Sequence, residues 1–188
     1  MKSLRELYKI GKGPSSSHTI GPEMIARNAL ARFGQRRYRV ELFGSLALTG
    51  KGHGTDRVLC EVLGADTDIV FNKTEKNIPH PNYMKIYSLT DGGEPEFLLD
   101  AVSVGGGSVL IDGHELADSR EVYPEHDFTE VRKFADSRGM TLPDYVRHYE
   151  SDVYSHLAAV WTAMKESVER GLKASGVLGG GLFVHAQL

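Results

Sequence analysis

Arg37-Tyr38-Arg39-Val40-Glu41-Leu42-Phe43, with the run after it, Gly44-Ser45-Leu46-Ala47-Leu48-Thr49-Gly50-Lys51-Gly52-His53-Gly54-Thr55-Asp56, decides the fold. Residues 37–43 alternate polar and apolar side chains, the pattern of a strand with one face against a core. Gly44 to Thr49 then leads into a loop with three glycines, Gly50, Gly52 and Gly54. Thr55 or Asp56 reads as the N-cap of a helix over DRVLCEVLG, which Gly64 ends. On this helix Cys60 faces inward as a small hydrophobe.

Upstream, Ser3 to Ile10 (SLRELYKI) has the spacing of a short amphipathic helix, with Ser3 as N-cap and Glu6 three residues on. Gly11-Lys12-Gly13-Pro14 breaks it, and after a polar segment Pro22 starts a second helix, PEMIARNALARF, closed by Gly34. Downstream, TDIVF, YMKIYSL, EFLLDAVSV and SVLI read as strands. Asp91-Gly92-Gly93 supplies a hairpin turn and Gly105-Gly106-Gly107 a bulge or tight bend. This order predicts an α+β fold, a mixed or antiparallel sheet packed by helices. From Thr129 the pattern is helical. A long amphipathic stretch runs from Asp152 to Arg170, with Val153, Leu157, Val160, Trp161, Met164 and Val168 on one face. Trp161 is expected in a core or an interface. Gly171, Gly176 and Gly179-Gly180-Gly181 loosen the end into a linker. The expected division is a domain over residues 1–124, then a helical connector and tail over 125–188.

Composition narrows the function. The chain has 188 residues, 22 Lys and Arg against 25 Asp and Glu, and pI ≈ 6.2. With no basic stripe, nucleic acid is not the expected partner. No apolar run approaches the ~18–20 residues of a membrane span. The N-terminus shows no signal peptide, so a cytoplasmic location is expected. The one cysteine, Cys60, excludes an internal disulfide or a zinc or iron–sulfur site made from this chain's cysteines. Any chemistry must use the eight histidines or ligands from another chain.

Two loops stand out. Gly13-Pro14-Ser15-Ser16-Ser17-His18-Thr19-Ile20-Gly21-Pro22 sets four hydroxyls and a histidine before a helix N-terminus, whose free amides suit a carboxylate or phosphate. His18, with an ordinary pKa near ~6.5, can move a proton. The second loop carries Lys51 and His53 between glycines that let a ligand approach the backbone. Its spacing is not that of a P-loop. His80-Pro81-Asn82 and Ser103-Val104-Gly105-Gly106-Gly107-Ser108 are weaker signals, a turn and a bulge unless they wall a ligand. His114, His126, His148, His156 and His185 have ordinary surroundings and read as structural. Together these loops describe a site for a small polar acid without naming a reaction.

In order along the chain, GPSSSHTIGP, FGSLALTGKGHGTD, HPNYMKI and SVGGG resemble the β domain of iron–sulfur-dependent bacterial L-serine dehydratase (L-serine ammonia-lyase). The resemblance covers about residues 1–124. It continues more loosely through VYPEHDFTEVRKFADSRG and VWTAMKESVERGLKASGVL, which resemble the segment joining β and α domains in single-chain members. It implies dehydration of L-serine to pyruvate and ammonium without PLP, at a 4Fe–4S cluster held by three cysteines of an α domain. It also implies that His18, His53 and Lys51 are catalytic, and that Ser15, Ser16, Ser17, Thr19, His80 and Asn82 contact substrate. No residue here is implied as a metal ligand. The implied partner is a serine dehydratase α chain or domain, and a homo-oligomer is compatible with this reading. The β-domain fold is similar to the allosteric substrate-binding domain of some phosphoglycerate dehydrogenases, so the alternative is a non-catalytic module that binds a small acid for regulation.

Overall fold

The computed structural model describes residues 1–90, 92–116, 121–177 and 183–184. Asp91 of the expected hairpin turn, the glycines 179–181 and His185 lie outside the described residues. Two compact units result, one mainly from Gly11–Leu116 and the other mainly from Met1–Ile10 and Ala117–Gly176.

The first unit is α+β, with a mixed six-stranded sheet in the order β2-β1-β3-β4-β5-β6. Helix α1 spans Gly21–Phe33 and strand β1 spans Tyr38–Phe43. Helices α2 (Gly44–Thr49) and α3 (Thr55–Leu63) then lead to β2 (Asp68–Asn72). Strands β3 (Tyr83–Ser88), β4 (Glu96–Gly105), β5 (Ser108–Ile111) and β6 (His114–Glu115) follow. The alternation in residues 38–43 is borne out: Val40 and Leu42 are buried, with Arg39 and Glu41 half-buried. β2 runs parallel to β1, pairing Val40 with Ile69 and Leu42 with Phe71. Parallel strands need a crossover, and α2 with α3 supplies it. All other pairs are antiparallel. Gly106-Gly107 form the two-residue turn between β4 and β5, next to a register shift between Ser103 and Gly105.

The core joins Ile25, Ala26 and Ala29 of α1 and Leu59 and Leu63 of α3 to Val40, Leu42, Met84, Ile86, Leu99, Ala101, Val109 and Ile111 of the sheet. Each large apolar side chain buried this way contributes about 1.5–3 kcal/mol. Two expectations change, and residues 44–49, to which the sequence assigned no element, form a helix with Leu46 and Ala47 in the core. Thr55 does not cap α3: Gly54 holds that position, and Thr55 turns its hydroxyl inward. Cys60 is half-buried, and burial pushes its thiol pKa up.

In the second unit the helix expected over residues 3–10 is a single 3₁₀ turn, Leu4–Glu6. Leu7, Tyr8 and Ile10 remain exposed, so the stripe that would drive a longer helix has nothing to bury against. Ser3 caps the turn, accepting from the Arg5 amide. Helices α4 (Phe128–Ser137), α5 (Leu142–Tyr149) and α6 (Val153–Lys173) follow. Asp127 caps α4, and Thr141 with Asp144 makes a capping box on α5. Tyr123, Val131 and Tyr145 form this unit's own apolar cluster. Gly171 lies inside α6 and does not end it. On α6 only Val153 and Val160 are buried, while Trp161 is 59% exposed, so it is no core residue. Among the described residues no helix is long and apolar enough to cross a membrane.

Candidate functional site

The SSSHT segment is a tight helical turn. The amides of Thr19 and Ile20 both donate to the Ser15 carbonyl, at 3.0 and 3.1 Å, and the Gly21 amide donates to Ser16. This π-type turn (Ser16–Ile20) runs straight into α1. The open helix N-terminus expected near Pro22 therefore does not exist, since the preceding turn already occupies its first amides. Ser15 caps the run instead, accepting from the His18 amide at 3.1 Å. Gly21 permits the placement: a Cβ there would lie 2.1 Å from the Oγ of fully buried Ser103 on β4.

Two crossed bonds join the histidine loops. The buried Thr19 hydroxyl donates to the His53 carbonyl at 2.9 Å, and the Thr55 hydroxyl donates to the His18 carbonyl at 2.5 Å. The His18 and His53 rings come together at 4.8 Å, tilted by 39°. His53 Nδ1 lies 3.0 Å from the Thr49 carbonyl oxygen. A carbonyl only accepts, so Nδ1 carries a proton, and in the neutral ring the lone pair lies on Nε2. His18 is held at both nitrogens, Nδ1 by Ser17 Oγ and Nε2 by Ser45 Oγ, each at 2.9 Å. Burial, and then the neighbouring His53, hold the His18 pKa below its ordinary 6.5; a hydrogen bond to the Ser45 backbone partly offsets them.

The remaining expected residues divide. Ser16 and Lys51 are exposed, and Ser17 is half-buried with its hydroxyl on His18. Thr19, expected at a substrate, is 2% exposed and ties the loops together. Asn82 turns its amide into the sheet, donating to the Ser103 carbonyl at 3.1 Å. His80 accepts the Asn82 amide on Nδ1 at 3.0 Å, stiffening the turn. His114 and His156 hold backbone carbonyls, of Asp112 and Tyr8, and His148 packs on Tyr149. Sequence reasoning passed over Ser45. Its signal was Gly-Ser at the end of a strand, where a side chain projects toward loops of the same sheet end.

The geometry is a pair of histidines in a hydroxyl cradle. Residues 3–65, which carry both, match the family model described as serine dehydratase beta chain. Over these residues the chain is similar to the serine dehydratase beta chain family. Relatives extend the serine dehydratase likeness. L-serine dehydratase 2 of Escherichia coli is 29% identical over 98% of this chain and 52% of its own length. The probable L-serine dehydratase beta chain of Bacillus subtilis is 39% identical over 55% of this chain and 57% of its own length. The L-serine dehydratase of Mycobacterium tuberculosis is 48% identical over 60 residues, 28% of this chain and 13% of its own length. The chain spans about half the length of the first of these serine dehydratases.

Proposed function

We propose that this chain is the β part of an iron–sulfur-dependent L-serine dehydratase, a cytoplasmic enzyme converting L-serine to pyruvate and ammonium with an α partner. The family match and the relatives' names support the substrate. The name of the B. subtilis relative, a beta chain, supports a partner part. The residues here do not fit a 4Fe–4S cluster. Cys60 is one thiol, kept protonated by burial and turned toward the Thr67 carbonyl, and among the described residues no three His, Cys, Asp or Glu could hold a metal. The cluster is therefore assigned to the α partner.

The observation that carries the reading is the His53 tautomer. With Nδ1–H fixed on Thr49, the Nε2 lone pair is available to take the Cα proton of serine. The electron pair of the broken Cα–H bond forms the Cα–Cβ double bond as the Cβ–O bond breaks, and the hydroxide leaves as water with the proton that His53 took up. Aminoacrylate remains, tautomerises to the imine, and is hydrolysed to pyruvate and ammonium. Ser16, Ser17 and Lys51 are assigned to the substrate carboxylate. His18 lines the site in its neutral form.

The test is reconstitution of the full chain with the α part and measurement of pyruvate from L-serine. His53→Gln is expected to lower kcat by about 10²–10⁴-fold with serine still bound. Pyruvate formation by the metal-stripped chain alone would overturn the two-part reading. Unchanged turnover in the variant, with altered serine dependence, would make the chain a regulatory module.

A further inference from the structure

Ser45 is neither a loop histidine nor one of the serines of SSSHT, yet its hydroxyl stands 2.9 Å from His18 Nε2. Its own placement is fixed from two sides. The Ser45 amide donates to the Pro81 carbonyl at 2.7 Å, and its carbonyl accepts the Thr49 hydroxyl at 2.9 Å. Gly44 makes the first contact possible. At φ +52°, a Cβ there would lie 2.5 Å from the Pro81 oxygen. The Pro81 turn is in turn fastened to β4: the Asn82 carbonyl accepts the Ser103 amide and the Asn82 side chain donates to the Ser103 carbonyl, both at 3.1 Å. A continuous set of short polar contacts thus runs from the middle of the sheet to the ring of His18.

We infer that Ser45 is a positioning residue for His18, and that the His80-Pro81-Asn82 turn is the mount that sets its reach rather than a substrate contact. The inference rests on the reading of this pocket as a serine dehydratase site. Without the Ser45 hydroxyl, Ser17 at Nδ1 is the one side-chain hydrogen bond left to the His18 ring. The ring then pivots about its Cα–Cβ bond and no longer holds its 4.8 Å distance to His53. The Ser45 oxygen also accepts from a protonated His18, because imidazolium donates at both nitrogens. Asn82 acts two steps away, through Pro81 and Ser45.

Ser45→Ala and Ser45→Thr are compared in two measurements. Histidine ring resonances of the full chain, followed by NMR against pH, should show His18 titrating at lower pH in Ser45→Ala. His114 and His126 should be unmoved, and Ser45→Thr should restore the parent curve. In the complex reconstituted with the α part, Ser45→Ala should lower kcat by about 10–100-fold with KM changed less than about 3-fold. Asn82→Ala should move both readouts in the same direction. An unmoved His18 curve in a folded Ser45→Ala overturns the inference, as does failure of threonine to rescue it. A Ser45→Ala chain that does not fold also overturns it, since Ser45 would then serve the fold. If the reconstituted parent makes no pyruvate, the functional reading fails while the titration still decides the role of Ser45.

Discussion

At the residue scale, protonation of His18 decides the site's response to acid. Its folded pKa lies below the ordinary value because burial and His53 both oppose a charge there. In that case the unfolded chain takes up the proton first. The stabilising contribution is complete above the unfolded pKa of ~6.5 and is lost as pH falls through the lower folded pKa. Chemical denaturation at a series of pH values should show stability falling below about pH 6.5, and His18→Gln should flatten that slope. A slope unchanged by the variant would place the acid sensitivity elsewhere. Gly44 gives a second test at this scale. Gly44→Ala adds a methyl group 2.5 Å from the Pro81 oxygen at a positive φ. A cost of about 2–4 kcal/mol is expected, read as a lower denaturation midpoint.

At the element scale, β1 and α3 were legible because their apolar periods are strict: alternation in 38–43, and Val58, Leu59 and Leu63 in 55–63. The parallel pairing of β2 was not legible, since residues 68–72 say nothing about direction. Helix α2 was hidden too. Six residues with two glycines nearby carry too few turns to separate helix from loop. The site divided the same way. His18 and His53 stood out by their unusual neighbours, but their meeting depends on the Thr19 and Thr55 crossed bonds, which join positions more than thirty residues apart. Trp161 shows the limit of periodicity. Its face on α6 continues through Met164, Val168 and Leu172, all exposed, so an apolar stripe in sequence did not imply a buried one. As the chain's one tryptophan, Trp161 reports this directly. Its fluorescence in the isolated chain should be red-shifted and readily quenched by iodide, and Trp161→Gln should change stability by less than about 0.5 kcal/mol. Blue-shifted, protected emission would contradict the exposed face.

At the scale of the whole molecule, sequence neighbours are not always structural ones. Residues 1–10 precede the SSSHT loop, yet they belong to the helical unit. The Met1 carbonyl accepts the amides of Val122 and Tyr123 at 3.0 and 3.1 Å. Glu150, only 6% exposed, is reached by the hydroxyls of Ser3 and Tyr123 and by the Leu4 amide at 3.1 Å. Burial alone would raise the pKa of this carboxyl, but these three donors outweigh it and hold the pKa below the ordinary range. Removing residues 1–10 takes away two of the three donors and leaves a buried carboxylate with Tyr123 alone. Losing partners of a buried charged group costs about 1–3 kcal/mol for each donor. Hydrogen exchange on the shortened chain should therefore quicken in residues 121–150, while protection in 38–43 and 83–88 stays as in the parent. Glu150→Gln in the full chain should quicken exchange in the same helical residues, because a neutral amide offers the three donors a weaker acceptor. Faster exchange throughout the sheet in either variant would show that the first ten residues support both units.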